Sequence, residues 1–258
     1  MNASPHTFKT LASFLDLVSD AQAWRKAGAD WYLQPWFRGH ASANWELTPS
    51  IYRMPQSPYV DYYTDKRLLD LFKLRAPAYL ERIPGTEWEW LFLMQHYGLP
   101  TRLLDWTESA LIALYFATRD NNGDQDAAVW MTNPWWINKC ALGEFDLFDA
   151  DSPQADRWKV STEREELPPG PLAVRPVRSS PRIHAQRGVF TVHGAEVRGL
   201  DRLLDGTYGE PQLRKLILPA NCVPDIRRDL AIAGVGESLI FPELEGMCRE
   251  LKRTFFGI

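Results

Sequence analysis

The amino-acid sequence predicts an α+β fold, a single domain in which helices pack around a small mixed or antiparallel sheet. Segments with apolar residues at helical spacing and short apolar runs of strand length both occur, without the regular βαβ alternation of a parallel sheet. The chain has 258 residues, 45% of them hydrophobic and 11 of them Trp, which is enough for a sizeable core. We divide it into an N-terminal helical segment over 1–29 and one domain over 30–258.

Helical patterns dominate the first part of the chain. Apolar residues at helical spacing predict a helix over 8–27. The segment "WYLQPWFRG" then predicts a strand that ends at Gly39, and "HASANWELTPSIYR" predicts a loop. A second helical face predicts a helix over 65–82, which Pro77 is expected to kink or divide.

Two further helices are predicted around residue 100. The segment 86–97 begins with capping-box spacing and is followed by Gly98, a usual stop signal. Asp105 and Glu108 also have capping spacing, which predicts another helix that begins near Asp105 or Thr107. The run "ALIALYFA" is apolar on every side, so we expect this helix to be central and buried.

The second half mixes strands, helices and one polar segment. The proline-rich stretch 150–181 predicts a long surface excursion. The remaining apolar patterns predict strands over 126–133, 188–192 and 214–219 and helices over 224–233 and 242–255.

Composition restricts the function classes. The net charge of −4 disfavours sequence-blind binding to nucleic acid or to an anionic membrane. The three cysteines and five histidines have no metal-ligand spacing, so no metal site is expected. We see no signal peptide and no membrane-spanning run, and reduced cysteines predict a cytoplasmic location. Motifs of the P-loop, GxGxxG, HExxH and GxSxG types are absent.

Arg38 is the first candidate site residue. Arginine offers a planar fork of donors that suits a phosphate or carboxylate, and the following Gly39 lets another group approach closely. The alternative is a structural arginine that stacks on Trp36 or Trp45 and pairs with Glu46.

The segment "MQHYGLPTRLLDWTESA" is the densest polar cluster. Because a sharp turn joins its predicted helices, its polar side chains could converge on one cleft. Each also has a structural alternative: a cation at a helix C-terminus for His96, an N-cap for Asp105, and pairing with Asp105 for Arg102. The cluster consists of Gln95, His96, Thr101, Arg102 and Asp105.

The segment "SPRIHAQRGVFTVHG" adds polar side chains before a predicted strand. They form either a solvated loop or a second wall of the anion site. These side chains are Arg182, His184, Gln186 and Arg187.

Four stretches in order resemble a known family. They are "WFRGHASANWELTPSIYR", "LMQHYGLPTRLLDWTESALIALYFA", "RIHAQRGVF" and "GVGESLIFPELEGM". Together they resemble the FRG domain, a bacterial family named for its Phe-Arg-Gly, here Phe37-Arg38-Gly39, and they span about residues 30–250. His40 stands where a glutamine is commoner in that family.

The resemblance implies a function through a further similarity, to ADP-ribosyltransferases. In arginine-type members an aromatic-Arg-Gly ends an early strand, and the arginine holds the NAD phosphates, which implies this role for Arg38. The Ser-Thr-Ser element of that superfamily is missing here. Candidates for its late catalytic glutamate are Glu196, Glu163 and Glu165.

We therefore expect an NAD-consuming ADP-ribosyltransferase-like enzyme of bacterial conflict or phage defence. NAD would be the nucleotide substrate, the acceptor an unidentified macromolecule, and the partner an antitoxin or defence-locus protein. Trp45, Tyr97 or Trp106 would stack on a ring of NAD. The expected cofactor-binding residues are Arg38, Gly39, Gln95, Thr101 and Arg102, and the expected catalytic residues are His96, Asp105 and Gln186.

Two alternatives remain open. The first is a non-catalytic module that recognises a nucleotide or phosphate, which needs the same arginines but no catalytic carboxylate. The second is a nuclease-like enzyme that uses His96 and Asp105.

Overall fold

An eight-stranded mixed sheet forms the centre of the molecule. The computed structural model describes residues 6–20, 34–54, 64–163, 165–176, 181–204 and 213–256. The strand order is β1-β8-β4-β2-β3-β7-β6-β5; the β1–β8 and β5–β6 pairs at the edges are parallel, and the five inner pairs are antiparallel. The predicted α+β fold is confirmed, with a larger sheet than expected. The strands are β1 His6–Thr7, β2 Trp36–His40, β3 Leu103–Thr107, β4 Ala127–Thr132, β5 Phe148–Asp149, β6 Leu172–Arg175, β7 Gly188–Val192 and β8 Leu213–Leu218.

Helices cover both faces of this sheet. The longer ones are α1 Leu11–Asp20, α2 Thr64–Arg75, α3 Glu87–His96, α4 Ala110–Arg119, α5 Pro134–Leu142, α8 Val223–Ile232 and α10 Leu244–Phe256. The short ones are α6 Pro181–Ala185, α7 Leu200–Leu203 and α9 Glu237–Ile240, and 3₁₀ turns occupy Ser50–Arg53, Ala76–Tyr79, Pro153–Trp158 and Ala220–Cys222. No helix in these described ranges is both long and apolar enough to cross a membrane.

Local chemistry explains most helix boundaries. The Thr86 hydroxyl accepts a hydrogen bond from the Glu89 amide, so the predicted capped start of α3 is confirmed. The predicted division at Pro77 is confirmed, since α2 ends at Arg75 and Pro77 lies in the 3₁₀ turn that follows. The first helix begins at Leu11 rather than residue 8, because the hydroxyls of Thr10 and Ser13 each accept the other residue's amide. Residues 21–27 of that prediction and the boundary at residues 29 and 30 lie outside the described residues.

The helix predicted to begin near Asp105 or Thr107 is wrong. Residues 103–107 form the central strand β3, which pairs along its whole length with β7. The next helix, α4, begins at Ala110, because the Ser109 side chain accepts a hydrogen bond from the Ile112 amide. Asp105 is therefore a strand residue and caps no helix. The buried character of α4 is confirmed.

The surface excursion predicted over 150–181 is also wrong. This segment contains β6, whose Leu172, Ala173 and Val174 are fully buried in the sheet. Trp158 is buried as well and donates its indole N–H to the Gly170 carbonyl. The prolines and charged residues of this segment flank a short buried strand, so the segment is not exposed to solvent along its whole length.

Two apolar clusters meet at the middle of the sheet. One packs α4 and α8 on β2, β4 and β8, and includes Phe14 and Phe37. The other packs α2 and α3 on β3, β6 and β7, and includes Phe92 and Phe190. The strands β2 and β3, which carry the candidate residues, lie at the junction of the two clusters.

Candidate functional site

A cleft opens between α3, α4 and α6 at the centre of the sheet. Its volume is about 380 Å³, and aromatic side chains from both apolar clusters form its walls. The aromatic lining is Phe37, Trp45, Phe92, Trp106, Phe116 and Phe190, and the charged or amide-bearing lining is Arg38, Gln95, His96, Asp105, Asp120, Gln125, Arg182 and Gln186.

The cleft exists because β2 and β3 separate. β2 pairs with β4 over five residues and β3 pairs with β7 over five, whereas β2 and β3 are registered at a single pair, Phe37 with Thr107. Where the ladder is interrupted, the Arg38 guanidinium donates from Nη1 to the Asp105 carbonyl oxygen at 2.6 Å. A side chain thus satisfies a backbone acceptor that a regular sheet would have paired with an amide.

Arg38 is held firmly but not fully engaged. Its Nε donates to His40 Nε2 at 3.0 Å, and its Nη1 lies 3.7 Å from Asp105 Oδ2. Nη2 has no hydrogen-bond partner among the described residues, and the side chain is 19% exposed. Burial lowers the pKa of Arg38, yet a guanidinium stays protonated in proteins. The cleft therefore holds a fixed cation with one unused donor edge.

His40 is a neutral neighbour of that cation. Burial, and then the charge of Arg38, lower the pKa of His40 to about 3. Its Nε2 can therefore act as the acceptor for the Arg38 Nε–H. His40 orients the guanidinium without neutralising it.

A chain of hydrogen bonds fixes Asp105. The Leu103 amide donates to Thr101 Oγ1, and that hydroxyl donates to Gln95 Oε1 at 2.5 Å. The Gln95 amide then donates from Nε2 to Asp105 Oδ2 at 2.8 Å. The Asp105 side chain is nevertheless 52% exposed at the cleft, so its carboxylate is positioned but accessible. Thr101 is fully buried and acts on the cleft through Gln95.

His96 and Arg182 line the cleft from α3 and α6. Burial, and then the charge of Arg182, lower the pKa of His96, while Glu243 opposes this shift. The imidazole is therefore neutral at pH 7 and can accept a proton. The Arg182 guanidinium lies 4.8 Å from the centroid of the Phe241 ring, which holds the cation at the cleft wall.

The turn before β7 carries backbone strain. Arg187 has a φ of 47°, which is unfavourable for a residue with a side chain. The preceding Gln186 is anchored through its carbonyl, which accepts a hydrogen bond from Thr107 Oγ1 at 2.7 Å. Its buried Nε2 has no partner within the described part of the chain, although Gln186 lines the cleft. An unsatisfied amide beside a strained turn is typical of a site built for a ligand.

Gly39 serves the packing of α4. A Cβ at this position would lie 1.9 Å from the Ala113 carbonyl oxygen and 2.6 Å from the Ala117 amide nitrogen. The close approach expected at Gly39 is therefore that of a helix backbone, which forms one wall of the cleft. In the sequence Phe-Arg-Gly, the aromatic ring packs in the core, the arginine enters the cleft and the glycine admits α4.

Arg102 lies outside the cleft. It is buried, and its Nε is 2.7 Å from Asp65 Oδ2. Its Nη2 donates to the carbonyls of Trp158 and Lys159, and its Nη1 donates to that of His193. The guanidinium joins α2, β3 and the 150–160 segment and has no exposed edge for a ligand. Its partner is Asp65, not Asp105.

Several other candidates also lie elsewhere. Glu163 pairs with Lys66 and Glu196 pairs with Arg198, so these two carboxylates are engaged away from the cleft. Glu46 pairs with Arg202, which leaves Arg38 without that predicted partner. Residues outside the cleft lining are Tyr97, Glu163, Glu165, His184, Arg187 and Glu196.

Part of the cleft lining has no distinguishing signal in the sequence. Phe92, Phe116 and Phe190 occupy apolar patterns that look the same as core positions, and only the strand separation exposes them to the cleft. Asp120 and Gln125 lie in a polar loop, where the sequence gives no signal for them. Within the described ranges no group of three or more His, Cys, Asp or Glu side chains is placed to hold a metal ion.

Comparison with family models finds a match over part of the chain. The family model of the FRG domain matches residues 34–126, the segment that contains Arg38, Gly39, Gln95, His96 and Asp105. The cleft residues on α6 and β7 lie beyond this match. No curated protein and no solved structure matches the chain significantly.

Proposed function

We propose that the cleft, to which the FRG-matched residues 34–126 contribute most of the lining, binds NAD and catalyses ADP-ribosyl transfer. One observation carries the proposal: Arg38 presents an unused donor edge in an aromatic cleft beside the accessible Asp105 carboxylate. A fixed cation for phosphate and a carboxylate for a developing positive charge are the two groups that this reaction needs.

The shape and lining of the cleft suit a nucleotide. Its volume of about 380 Å³ falls within the usual range of ligand sites, roughly 300–1,000 Å³. Aromatic faces such as Trp45 and Trp106 can stack on the nicotinamide or adenine ring. Arg38 and Arg182 would contact the pyrophosphate, and the free Gln186 amide would donate to a ribose or phosphate oxygen.

The proposed chemistry is substitution at the ribose C1′ of NAD. The bond between C1′ and the nicotinamide nitrogen breaks, and its electron pair leaves with nicotinamide. The Asp105 carboxylate stabilises the oxocarbenium-like cation that develops on the ribose. An acceptor hydroxyl, amine or water then bonds to C1′ and gives its proton to the neutral His96 imidazole. Gln95 and Thr101 are positioning residues, because they act through Asp105.

The direct test is incubation of the purified protein with NAD labelled in the adenylate phosphate, with and without lysate protein and nucleic acid. We expect release of nicotinamide and transfer of label, both reduced at least about tenfold in Asp105→Asn. The matched control is Asp149→Asn, an exposed aspartate paired with Arg175 at the sheet edge, which should keep full activity. Absence of turnover with every acceptor, together with absence of NAD binding by calorimetry, would refute the proposal.

A non-catalytic nucleotide- or phosphate-recognition module is the second candidate. The observation that favours it is the partial engagement of Asp105, whose Oδ2 accepts from Gln95 and faces Arg38. In such a module Asp105 would only orient the arginine. Retained ADP-ribose binding without nicotinamide release, and a cellular phenotype that needs Arg38 but survives Asp105→Asn, would favour this candidate.

The biological setting that we propose is bacterial conflict or phage defence. An enzyme that consumes NAD or modifies a macromolecule in its own cytoplasm must be inhibited until it is required. The expected partner is therefore an antitoxin or another protein of the same locus. Induced expression of the wild type should arrest growth, and Asp105→Asn should not. Equal growth of both strains at equal protein levels would contradict this setting.

A further inference from the structure

The C-terminal helix α10 is packed with its polar side inward. Arg249 Nε lies 2.6 Å from Glu237 Oε1, and Arg253 reaches the other oxygen of that buried carboxylate at 3.8 Å. The Glu250 carboxylate accepts hydrogen bonds from both the amide and the hydroxyl of Ser238. Gly246 completes this face, since a Cβ there would lie 2.0 Å from the Phe241 carbonyl oxygen.

The opposite side of α10 is an exposed apolar stripe, made of Leu244, Met247, Cys248, Leu251 and Phe255. Its four large side chains are between 45% and 75% exposed, and Cys248 is exposed as well. Spacings of three and four residues place the five on one face of a helix about 20 Å long. Single exposed leucines are ordinary, but a continuous stripe on the face turned away from the body marks an interaction surface.

The charges beside the stripe identify the occupant. Glu245 and Lys252 flank the same edge, seven residues apart, and both are exposed; one Glu245 oxygen also accepts a hydrogen bond from Arg249 Nη1 at 2.8 Å within the same helix. In an antiparallel pair of α10 helices centred between Cys248 and Leu251, Leu244 would meet the partner's Phe255. Each Glu245 would then lie within about 3 Å along the axis of the partner's Lys252, at both ends of the pair. A parallel pair would instead put this edge of one helix on the opposite side of the pair from the same edge of its partner, so these charges would not meet.

We propose that the chain forms a two-fold symmetric dimer through the apolar stripe of α10, with the two helices antiparallel. The surface is self-complementary in both its apolar residues and its charges, as an isologous interface requires. One helix per subunit gives a small interface, so the dimer should dissociate on dilution.

Sedimentation velocity over a dilution series tests this assembly. The wild type should shift from dimer to monomer as the concentration falls, and Leu251→Glu should remain monomeric throughout. The matched control is Leu74→Glu, which places the same charge on an exposed leucine of α2 and should dimerise like the wild type. Circular dichroism and urea unfolding of both variants establish that each is folded.

Exchange of the charges at positions 245 and 252 distinguishes this antiparallel dimer from any other interaction of the apolar stripe. Lys252→Glu should raise the dimer dissociation constant several-fold, because it faces the partner's Glu245. The double variant Glu245→Lys with Lys252→Glu should restore the wild-type value. A wild type that is monomeric at every concentration, equal behaviour of the two leucine variants, or absence of rescue would each overturn the proposal.

Discussion

Arg38 and Arg102 lie on the two central strands or beside them, and their surroundings differ. Arg102 is enclosed by the Asp65 carboxylate and by three backbone carbonyls from two segments, and it has no face toward the cleft. Arg38 is bound by one carbonyl and one neutral histidine, its Nη1 lies 3.7 Å from the half-exposed Asp105 carboxylate, and its Nη2 stays unpaired within the described residues. The same side chain therefore joins structural elements at one position and presents a donor at the other. Pairing, not residue type, distinguishes the two roles.

Each arginine has a buried histidine beside it, which extends the comparison. Arg38 Nε donates to His40, and Arg102 Nη1 donates to the carbonyl of His193. Burial is the main cause that lowers the pKa of His40 to about 3 and that of His193 to about 4, and the neighbouring arginine adds to each shift. Both imidazoles are neutral in the folded state, so neither competes with the guanidinium for an anion.

The largest expected effect on stability is that of Arg102→Ala. This variant leaves the Asp65 carboxylate buried without its cation, so the free energy of unfolding should fall by about 3–5 kcal/mol. Urea unfolding measures it, with Arg228→Ala as the control, because that arginine pairs with Asp225 on the surface and should contribute less than about 1 kcal/mol. A stable Arg102→Ala protein that has lost nucleotide binding would reverse the two roles.

Gly39→Ala should have the next largest effect. The added methyl would collide with the Ala113 carbonyl oxygen and displace α4 from β2, which should cost about 1–3 kcal/mol or more of unfolding free energy. The control is Gly170→Ala, where a Cβ would meet nothing within 4 Å. Equal stability of the two variants would show that the glycine of the Phe-Arg-Gly sequence has no packing role.

The buried histidines predict a loss of stability in mild acid. Their folded pKa values lie below the ordinary value of 6.5, so between pH 6.5 and 5 the unfolded state binds protons that the folded state does not. Each histidine should lower the unfolding free energy by about 1.4 kcal/mol per pH unit in that window. The slope of stability against pH in urea titrations measures this effect.

Replacement of one buried histidine should reduce the slope of unfolding free energy against pH by that histidine's contribution. His193→Gln and His40→Gln, tested separately, should each remove about the contribution of one histidine to this slope. The expectation concerns the slope and holds whether or not the variant is less stable at pH 7. His184→Gln is the control for the substitution itself, because this histidine is exposed on the surface. A slope that stays the same in the two buried variants would contradict their neutral state in the fold.

Sequence signals predicted those helix boundaries and buried faces that neighbouring residues determine. The cap at Thr86, the break at Pro77 and the buried α4 all follow from residues within one or two turns. Strand β3 was missed because the spacing of Asp105 and Glu108 also suits a helix start, while pairing with β7, more than 80 residues away, decides the outcome. The surroundings of the arginines were equally non-local: Asp65 lies 37 residues before Arg102, and no pattern in the sequence connects them.

The cleft itself depends on the same long-range information. The sequence singled out Arg38, Gln95, His96, Asp105, Arg182 and Gln186, and the structure brings these side chains to one cavity. The sequence could not indicate that Arg102 points away or that Phe92, Phe116 and Phe190 line the walls. The first fact follows from the pairing of Arg102 with Asp65 and the second from where β2 and β3 separate, and both are properties of the assembled fold.

Titration calorimetry of ADP-ribose against wild type and Arg38→Gln measures what the Arg38 guanidinium contributes to binding. The glutamine removes the cation, so the Kd should rise about 10- to 100-fold, since hydrogen bonds to a charged group contribute about 1.5–3 kcal/mol. The unfolding free energy should change by only about 1 kcal/mol, the smallest stability effect in this series. We expect weakened binding by a folded Arg38→Gln protein; equal affinity of the two proteins for ADP-ribose would show that the guanidinium does not hold the ligand.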